Sequence, residues 1–223
     1  MLTFILAESA LELVPKEIGS RPAVVSDARR RQARASEILL DRSFHHSAMS
    51  RLKDTEKRGR PDLVHVALLS VTGAPLYLEG KVKVFVHTYP DIVVDIAEKT
   101  RIPKNYIRFR GLMEEALAAR PSTGLVRAYP MGFRDLVRRT SAGMVFGLSV
   151  QGKQKELAEL ASEVAKAKNP CVVVGGFPHG HFSKEVLASL DELDRIDARP
   201  LEAHVVASRL AYEVEKAVKG IND

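Results

Sequence analysis

A glycine-rich segment directly after an apolar run is the feature of this sequence best suited to binding a small molecule. The apolar residues 172–174 are followed by Gly-Gly-Phe-Pro-His-Gly, which places glycines at Gly175, Gly176 and Gly180. Glycines after a buried strand take positive φ angles at no steric cost and let the backbone approach a ligand closely. A tight turn without a ligand has the same composition. The segment therefore indicates either a ligand-binding loop or a simple turn.

The spacing of these glycines excludes two common phosphate-binding motifs. Gly-Gly-x-x-x-Gly differs from the G-x-G-x-x-G of dinucleotide-binding folds. No Lys-Ser or Lys-Thr pair closes the segment, as a P-loop would require. If the segment binds a ligand, we expect one that neither of these motifs holds.

Two basic clusters are candidates for contacting a polyanion such as RNA, in a chain with a net charge of +6. One occupies residues 57–62 and the other residues 101–110. In the second cluster, Arg101, Lys104 and Arg108 follow at i, i+3 and i+7, so a helix would align them on one face. A solvated cationic surface without an RNA partner has the same pattern, so both interpretations stay open.

Aromatic and acidic neighbours add to the case for RNA. Tyr106 and Phe109 lie among the basic residues of the second cluster and would offer surfaces on which bases stack. In the first cluster, Asp62 follows Arg60 by two residues. We expect Asp62 either to hold the Arg60 guanidinium in a salt bridge or to be an acid favoured by the helix dipole in a first turn.

The histidines and the single cysteine do not suggest a metal site or a nucleophile. His45 with His46, and His179 with His181, lack an accompanying set of cysteine or carboxylate ligands, so no metal is expected. Cys171 begins an apolar run and is expected to be a buried structural thiol. One cysteine allows no internal disulfide, which favours a reducing compartment such as the cytoplasm.

The elements that would position these residues alternate in type along the C-terminal third, which is typical of an α/β layer. No apolar run approaches the roughly 20 residues of a membrane helix, so no membrane partner is expected. Pro61 is well placed to begin a helix, and Ser36 to cap one. The periodicity predicts strands at 2–7, 82–87, 91–96, 143–150 and 171–174, and helices at 9–14, 37–40, from 61, at 104–119, 153–168 and 200–219.

With these features in order along the chain, the sequence resembles the ribosome-biogenesis pseudouridine N1-methyltransferases, a family of the SPOUT class, in its archaeal type. The marks of the resemblance are Arg60-Pro61-Asp62, residues 101–104, Arg108-Phe109 with Gly111-Leu112-Met113, the glycine segment, and Pro200-Leu201. The resemblance implies an α/β fold with a SPOUT-type parallel sheet, a C-terminal trefoil knot and an inserted α/β extension. It implies one domain over 1–223, with a knotted cofactor-binding part at approximately 140–223 and an RNA-binding insertion at approximately 20–120.

The resemblance also implies S-adenosyl-L-methionine as the cofactor. Arg199 stands where relatives often have an aromatic residue, and Glu202 where they often have serine, so the rim of the site departs from the family pattern. The residues implied to bind the cofactor are Leu148, Gly175, Gly176, Gly180, Ile196, Asp197, Ala198, Arg199, Pro200 and Leu201.

By the same resemblance, small-subunit rRNA is the substrate, the chain forms a homodimer, and ribosomal proteins or assembly factors are further partners. The RNA would be bound by Arg60, Arg101, Lys104 and Arg108, and Asp62 is the candidate catalytic residue, as acceptor of the N1 proton. Two alternatives stay open: a non-catalytic rRNA-binding assembly factor, and a SPOUT methyltransferase that acts on another RNA, at a tRNA base or a ribose.

Overall fold

The computed structural model describes residues 1–118 and 124–222, and its strands form one seven-stranded sheet. The strand order is β4-β3-β2-β1-β6-β5-β7. β1, β2, β5, β6 and β7 run parallel to one another, whereas β3 pairs antiparallel with β2, and β4 antiparallel with β3, at one edge. The strands are β1 (Leu2–Ser9), β2 (Val82–Thr88), β3 (Ile92–Ile96), β4 (Val126–Pro130), β5 (Met144–Gln154), β6 (Pro170–Gly175) and β7 (Glu192–Arg195).

Helices cover both faces of this sheet, as a parallel sheet requires. Along β1, Phe4 and Leu6 pack into the larger hydrophobic cluster with α3, α5, α7 and α9, while Ile5 and Ala7 pack into a second cluster with α6 and α8. The α-helices in the described part are α1 (Pro22–Arg30), α2 (Arg42–Met49), α3 (Pro61–Thr72), α4 (Pro75–Leu78), α5 (Tyr106–Leu117), α6 (Phe133–Thr140), α7 (Leu157–Lys166), α8 (Lys184–Leu187) and α9 (Ala203–Asn222).

A third hydrophobic cluster lies between β1 and α3 in sequence. It is formed by buried residues from Val14 to Leu52, including those of α1 and α2. Arg58, which follows this region, is joined to the segment just after β1 by a bidentate ion pair with the buried Glu12, at 2.7 and 2.6 Å. The segment before α3 is therefore held at a fixed place beside the sheet.

The predicted α/β class and the mostly parallel sheet are confirmed, and so are the helix that begins at Pro61 and the two strands on either side of residue 90, which the structure pairs antiparallel. Asn105 accepts hydrogen bonds from the backbone N–H groups of Ile107 and Arg108, which sets the start of α5 later than predicted. The predicted end of that helix at Ala119 lies outside the described residues.

Two predicted helices near the N-terminus are wrong. Residues 12–14 and 38–40 instead lie antiparallel to each other around a bridge between Leu13 and Leu39, in which Val14 N donates to Ile38 O and Leu40 N donates to Glu12 O, both at 2.9 Å. Ser36 lies in a short 3₁₀ helix, and the helix that follows is capped by Asp41. The prediction failed because residues 38–40 form a short, continuous apolar run. Such a run has no periodicity that distinguishes a helix from an extended segment.

The other boundaries shift where tertiary contacts override local preference. α7 begins at Leu157 because residues 153–154 extend β5, and α9 begins at Ala203 although Pro200 would suit a first turn. The pattern did not predict β4, α6, α8 or β7, which are short or polar.

β5 separates from its neighbour β7 for four residues and then pairs with it again. Leu148 and Lys153 both pair with Asp194, so residues 149–152 form a protrusion. Gly152 lies directly on the β7 backbone, where an added Cβ would be 2.4 Å from the carbonyl carbon of Asp194. Lys155 fixes the return by contacting Asp194 at 3.2 Å, together with two further carboxylates.

The end of β6 touches the end of β1 too closely for any side chain. Gly176 donates to Ala7 O and accepts from Ala10 N, both at 2.8 Å. A Cβ on Gly176 would lie 2.1 Å from Ser9 Oγ and 2.9 Å from Ser9 Cα. Gly176 is therefore required for packing between the two strands.

This contact predicts that Gly176→Ala lowers the free energy of unfolding by about 1–3 kcal/mol, the usual effect of forcing one extra methyl group into a close-packed site. Gly111→Ala is the matched control, because no atom lies within 4 Å of its added Cβ and the residue is inside α5. It should stabilise the chain by roughly 0.5–1 kcal/mol. Urea unfolding of both variants measures the difference, and equal stability of Gly176→Ala and wild type would contradict the packing role.

Candidate functional site

A cleft of about 380 Å³ opens at the carboxyl ends of β6 and β7, beside the protrusion in β5. Its walls come from residues in the ranges 148–150, 174–182 and 195–203, and from Arg60 and Leu63 at the start of α3. Its size suits a small-molecule ligand. Clefts at the carboxyl ends of parallel strands are where α/β sheets bind ligands.

The cleft brings together most of the residues that were predicted to bind a cofactor. Ala198 is exposed and does not line it, and Gly176 packs under the loop against Ser9. The predicted residues that line the cleft are Leu148, Gly175, Gly180, Ile196, Asp197, Arg199, Pro200 and Leu201.

The loop after β6 takes its shape from two glycines. Gly180 has a φ of 102°, in the region that disfavours every residue with a Cβ. A Cβ on Gly175 would come within 2.8 Å of the Phe177 ring, which folds back over the strand end. The cleft wall is consequently built from backbone and from apolar side chains, a surface suited to the flat and aliphatic parts of a ligand.

The opposite rim carries a self-contained ion pair. The Arg199 guanidinium donates to both oxygens of Asp197, at 3.0 and 3.1 Å, and the Arg199 backbone N–H donates to the same carboxylate at 2.9 Å. The hydrogen bonds from Arg199 lower the pKa of Asp197 to about 2. Asp197 is therefore an anionic acceptor at the cleft, and a ligand hydroxyl that bonds to it has to share it with Arg199.

Arg60 lies at the cleft and is held by Asp62. Both carboxylate oxygens of Asp62 accept from the Arg60 guanidinium, at 2.9 and 2.8 Å, and Arg60 N donates to Ala10 O. Burial alone would raise the pKa of Asp62, but the Arg60 hydrogen bonds and charge outweigh it, so that pKa lies below its usual value. Both placements expected for Asp62 are present: it forms the salt bridge to Arg60, and it lies in the first turn of α3. Asp62 itself does not line the cleft.

The second basic cluster lies next to the first, but not on a single helix face. Arg101, Lys104 and Arg108 are exposed, and because α5 begins at Tyr106, only Arg108 is helical. The predicted alignment of all three is wrong. Pro103 O lies 2.7 Å from His65 Nε2, which places the second cluster one turn of α3 away from Asp62. The two basic clusters thus border one surface.

The aromatic side chains of the second cluster are structural. Phe109 is fully buried and stacks on His65 with ring centroids 4.3 Å apart, so the prediction that it stacks on bases is wrong. Tyr106 is partly buried, and its hydroxyl donates to Asp41 Oδ2 at 2.7 Å. Burial, with the Asp41 hydrogen bond, raises the pKa of Tyr106. Both rings support the surface that the basic residues border.

The remaining titratable candidates lie away from the cleft. Cys171 is buried, as predicted, and burial raises the pKa of its thiol to about 12. Burial lowers the pKa of His45, whose Nε2 lies 3.4 Å from Asp27 Oδ2. Within residues 1–118 and 124–222, no group of three or more His, Cys, Asp or Glu side chains could hold a metal ion. None of the helices in these ranges is long and apolar enough to span a membrane.

Sequence reasoning found Leu148 but missed two further β5 residues of the cleft, and it missed the residues behind the loop after β6. Ser149 and Val150 line the cleft because of the protrusion in β5, whose only sequence signal is Gly152. Glu8 and Lys57 contact the loop after β6 from behind. Lys57 was noted only as one member of a basic cluster, and nothing in its spacing indicates a partner near residue 8.

Comparison with known proteins agrees with this arrangement. Residues 4–215 match the model of the family described as EMG1/NEP1 methyltransferase. The chain is 41% identical over 219 residues to a protein of Staphylothermus marinus named "Ribosomal RNA small subunit methyltransferase Nep1", covering 96% of this chain and 95% of that protein. A protein of the same name from Thermococcus onnurineus is 42% identical over 218 residues, covering 96% and 98%.

A solved structure shares the fold over nearly the whole chain. It is the crystal structure of Archaeoglobus fulgidus Nep1 bound to S-adenosylhomocysteine, which is 37% identical and superposes with a TM-score of 0.86, covering 98% of each chain. The family match spans the sheet, the cleft and both basic clusters. The chain therefore belongs to the EMG1/NEP1 methyltransferase family.

Proposed function

We propose that this chain is a methyltransferase that transfers the methyl group of S-adenosyl-L-methionine to N1 of a pseudouridine in small-subunit rRNA, in the course of small-subunit biogenesis. The observation that carries the proposal is that Arg60, on the basic surface, and the glycine loop line one cleft. The relatives named as rRNA small-subunit methyltransferases and the related structure that binds S-adenosylhomocysteine support it.

The residues of the cleft fit such a cofactor. Leu148, Val174 and Leu201 provide apolar contacts for an adenine ring and a methionine chain, and the loop with Gly175 and Gly180 offers backbone polar groups at close range. Asp197 and the backbone of residues 195–201 lie on the opposite wall. When bound, the cofactor supplies a methyl group already activated by the positive sulfonium.

The chain's own contribution is to orient the substrate base. Methyl transfer needs N1, the methyl carbon and the sulfur in line, and holding reacting groups in such a geometry lowers a barrier by several kcal/mol. In uridine, N1 carries the glycosidic bond; in pseudouridine the C-glycosidic link leaves N1 free to form the new N–CH₃ bond. The base has to leave its stack to reach the cleft, and Arg60 at the mouth is placed to bind the adjoining phosphate.

The N1 proton leaves to a base or to water during the transfer. Asp62 was the sequence candidate for this base. Its two oxygens are occupied by Arg60 and its pKa is lowered, which makes it a weaker base. We therefore propose that Asp62 acts by orienting Arg60 for RNA, together with Arg101, Lys104 and Arg108 on the adjoining surface.

The finer architecture of the family completes the proposal. We propose one SPOUT domain over 1–223, with a trefoil knot in the cofactor-binding part at approximately 140–223 and an RNA-binding insertion at approximately 20–120. A homodimer in the cytoplasm, in contact with ribosomal proteins or assembly factors, is part of the same proposal. α9, whose Ala203 and Val206 line the cleft, packs against α3 and α7, which holds this wall of the cleft in place.

The reaction is tested with two matched RNA hairpins, one with pseudouridine and one with uridine at the same place, incubated with S-adenosyl-L-methionine. Nucleoside mass spectrometry should detect N1-methylpseudouridine from the first hairpin alone. Tight binding of both hairpins without methylation would favour a non-catalytic assembly factor. Methylation of the uridine hairpin would identify a different target atom or RNA.

The RNA surface is tested by neutralising Arg60 or Arg101 with methionine. Each variant should bind the hairpin more weakly, and the slope of log K against log salt should fall by about one, because one phosphate contact is lost. Arg134→Met is the matched control, since this exposed arginine of α6 lies on the other face of the sheet. Unchanged binding by both cleft-side variants would refute the assigned surface.

The role of Asp62 is tested by Asp62→Asn, which keeps the shape of the side chain and removes its charge. If Asp62 orients Arg60, the dissociation constant for RNA should rise several-fold, and kcat at saturating RNA should fall by less than about ten-fold. A proton acceptor would instead lose roughly 10²–10⁴-fold in kcat. A kcat loss of that size with unchanged RNA affinity would restore Asp62 as the base.

A further inference from the structure

A buried ion pair lies behind the loop that lines the cleft. Glu8, at the carboxyl end of β1, has only 8% of its surface exposed and a φ of 49°. One of its carboxylate oxygens accepts from Ser183 N at 3.0 Å, and the other lies 2.8 Å from Lys57 Nζ. Glu8 therefore joins the far end of the loop to the segment that precedes α3.

Besides its contact with Glu8, Lys57 contacts the loop at three places. Its ammonium donates to the carbonyl of His181 and lies 4.7 Å from the centroid of the Phe177 ring. Its side chain also lies under Gly180, where an added Cβ would come within 3.0 Å of Lys57 Cε. Only 13% of the Lys57 side chain and 10% of the Glu8 side chain are exposed, so these contacts are largely shielded from water.

Lys57 is itself held in place by its neighbours in sequence. Arg58 forms the bidentate ion pair with Glu12, and Gly59 lies so close to Met49 that a Cβ would be 2.9 Å from its methyl carbon. Residue 57 thus stands on a fixed backbone three residues before Arg60. Neither Glu8 nor Lys57 lines the cleft, so any effect of the pair on a ligand passes through the loop.

We propose that Glu8 and Lys57 are positioning residues. Their ion pair holds residues 177–183 in the conformation that binds S-adenosyl-L-methionine. The inference rests on the proposed cofactor site. Phe177, Gly180 and Phe182 line the cleft on one side of the loop, while the Glu8–Lys57 pair fixes the same residues from the other side. Without the pair, the loop has to be ordered when the cofactor binds, and that ordering weakens the affinity.

The test is calorimetric titration of S-adenosylhomocysteine into wild type and Lys57→Met, in the absence of RNA. The dissociation constant should rise about ten-fold, the effect of losing one charged hydrogen bond of average strength. In methylation assays, KM for S-adenosyl-L-methionine should rise by a similar factor. The value of kcat at saturating cofactor should stay within two-fold. RNA affinity should fall less than cofactor affinity, because the ammonium of Lys57, although part of the first basic cluster, faces Glu8 and the His181 carbonyl. General destabilisation would not give this split.

Two further variants complete the design. Lys57→Arg keeps a long cationic side chain at this position and should retain most of the affinity. Lys53→Met, at an exposed residue on the same segment, is the matched control. If Lys57→Met does not fold, Lys57→Gln, which keeps a donor, takes its place. Wild-type affinity in Lys57→Met, or equal losses of cofactor and RNA binding, would overturn the positioning role.

The outcome is separable from that of the proposed reaction. Wild type that binds S-adenosylhomocysteine but leaves the pseudouridine hairpin unmethylated would refute the proposed substrate and leave the Glu8–Lys57 result valid. Wild type that does not bind S-adenosylhomocysteine would overturn both the cofactor site and the positioning role.

Discussion

The backbone of residues 7–10, at the carboxyl end of the central strand β1, is the part on which the rest of the site depends. Ala7 O and Ala10 N bond to Gly176, and Ala10 O accepts from Arg60 N. Both the glycine loop and the arginine at the cleft mouth are thus bonded to the same turn of chain. β1 is hydrogen-bonded to β2 along one edge and to β6 along the other, and nearly all of its residues are buried. The turn that follows it therefore has little freedom to move. The geometry of the cleft follows from that rigidity.

Paired charges then fix Arg60, which lines the cleft, and the segment that precedes it. Arg58 with Glu12, and Arg60 with Asp62, are bidentate pairs in which a planar guanidinium meets both oxygens of a carboxylate. Such pairs set direction as well as distance. For Arg60, this means that the guanidinium is oriented before any phosphate arrives, so less side-chain entropy is lost on binding.

Local patterns predicted the parts of the fold whose periodicity is strong. Alternation along residues 82–87 predicted β2, and Pro61 predicted the start of α3. The prediction of helix at 37–40 was wrong because Ile38, Leu39 and Leu40 are all buried, and a short apolar run has no period that separates helix from extended chain. The polar strand β7 has few apolar residues and is held by its neighbours β5 and Lys155, which its own sequence does not reveal.

The sequence predicted site residues whose role depends on their own type or on a close neighbour in the chain. It did not predict those whose role depends on a contact with a residue far away in the sequence. Gly175 and Gly180 stood out in the sequence, and the salt bridge of Asp62 to Arg60 follows from two residues of separation. Phe109 was assigned to base stacking because its pattern matched, yet it packs on His65, a contact between two helices. Nothing in the sequence indicated that Glu8 and Lys57 are partners, since their contacts join residues far apart in the chain.

That distance has a consequence for the order of assembly. The bond between Glu8 and Ser183 joins residues 175 positions apart, and the cleft needs residues near 200 as well. Contacts of such long sequence separation close slowly, because chain entropy is lost before they form. A nascent chain still on the ribosome lacks the last wall of the cleft until synthesis has passed Val206. Cofactor binding therefore selects molecules in which this wall has formed and adds to their stability by mass action.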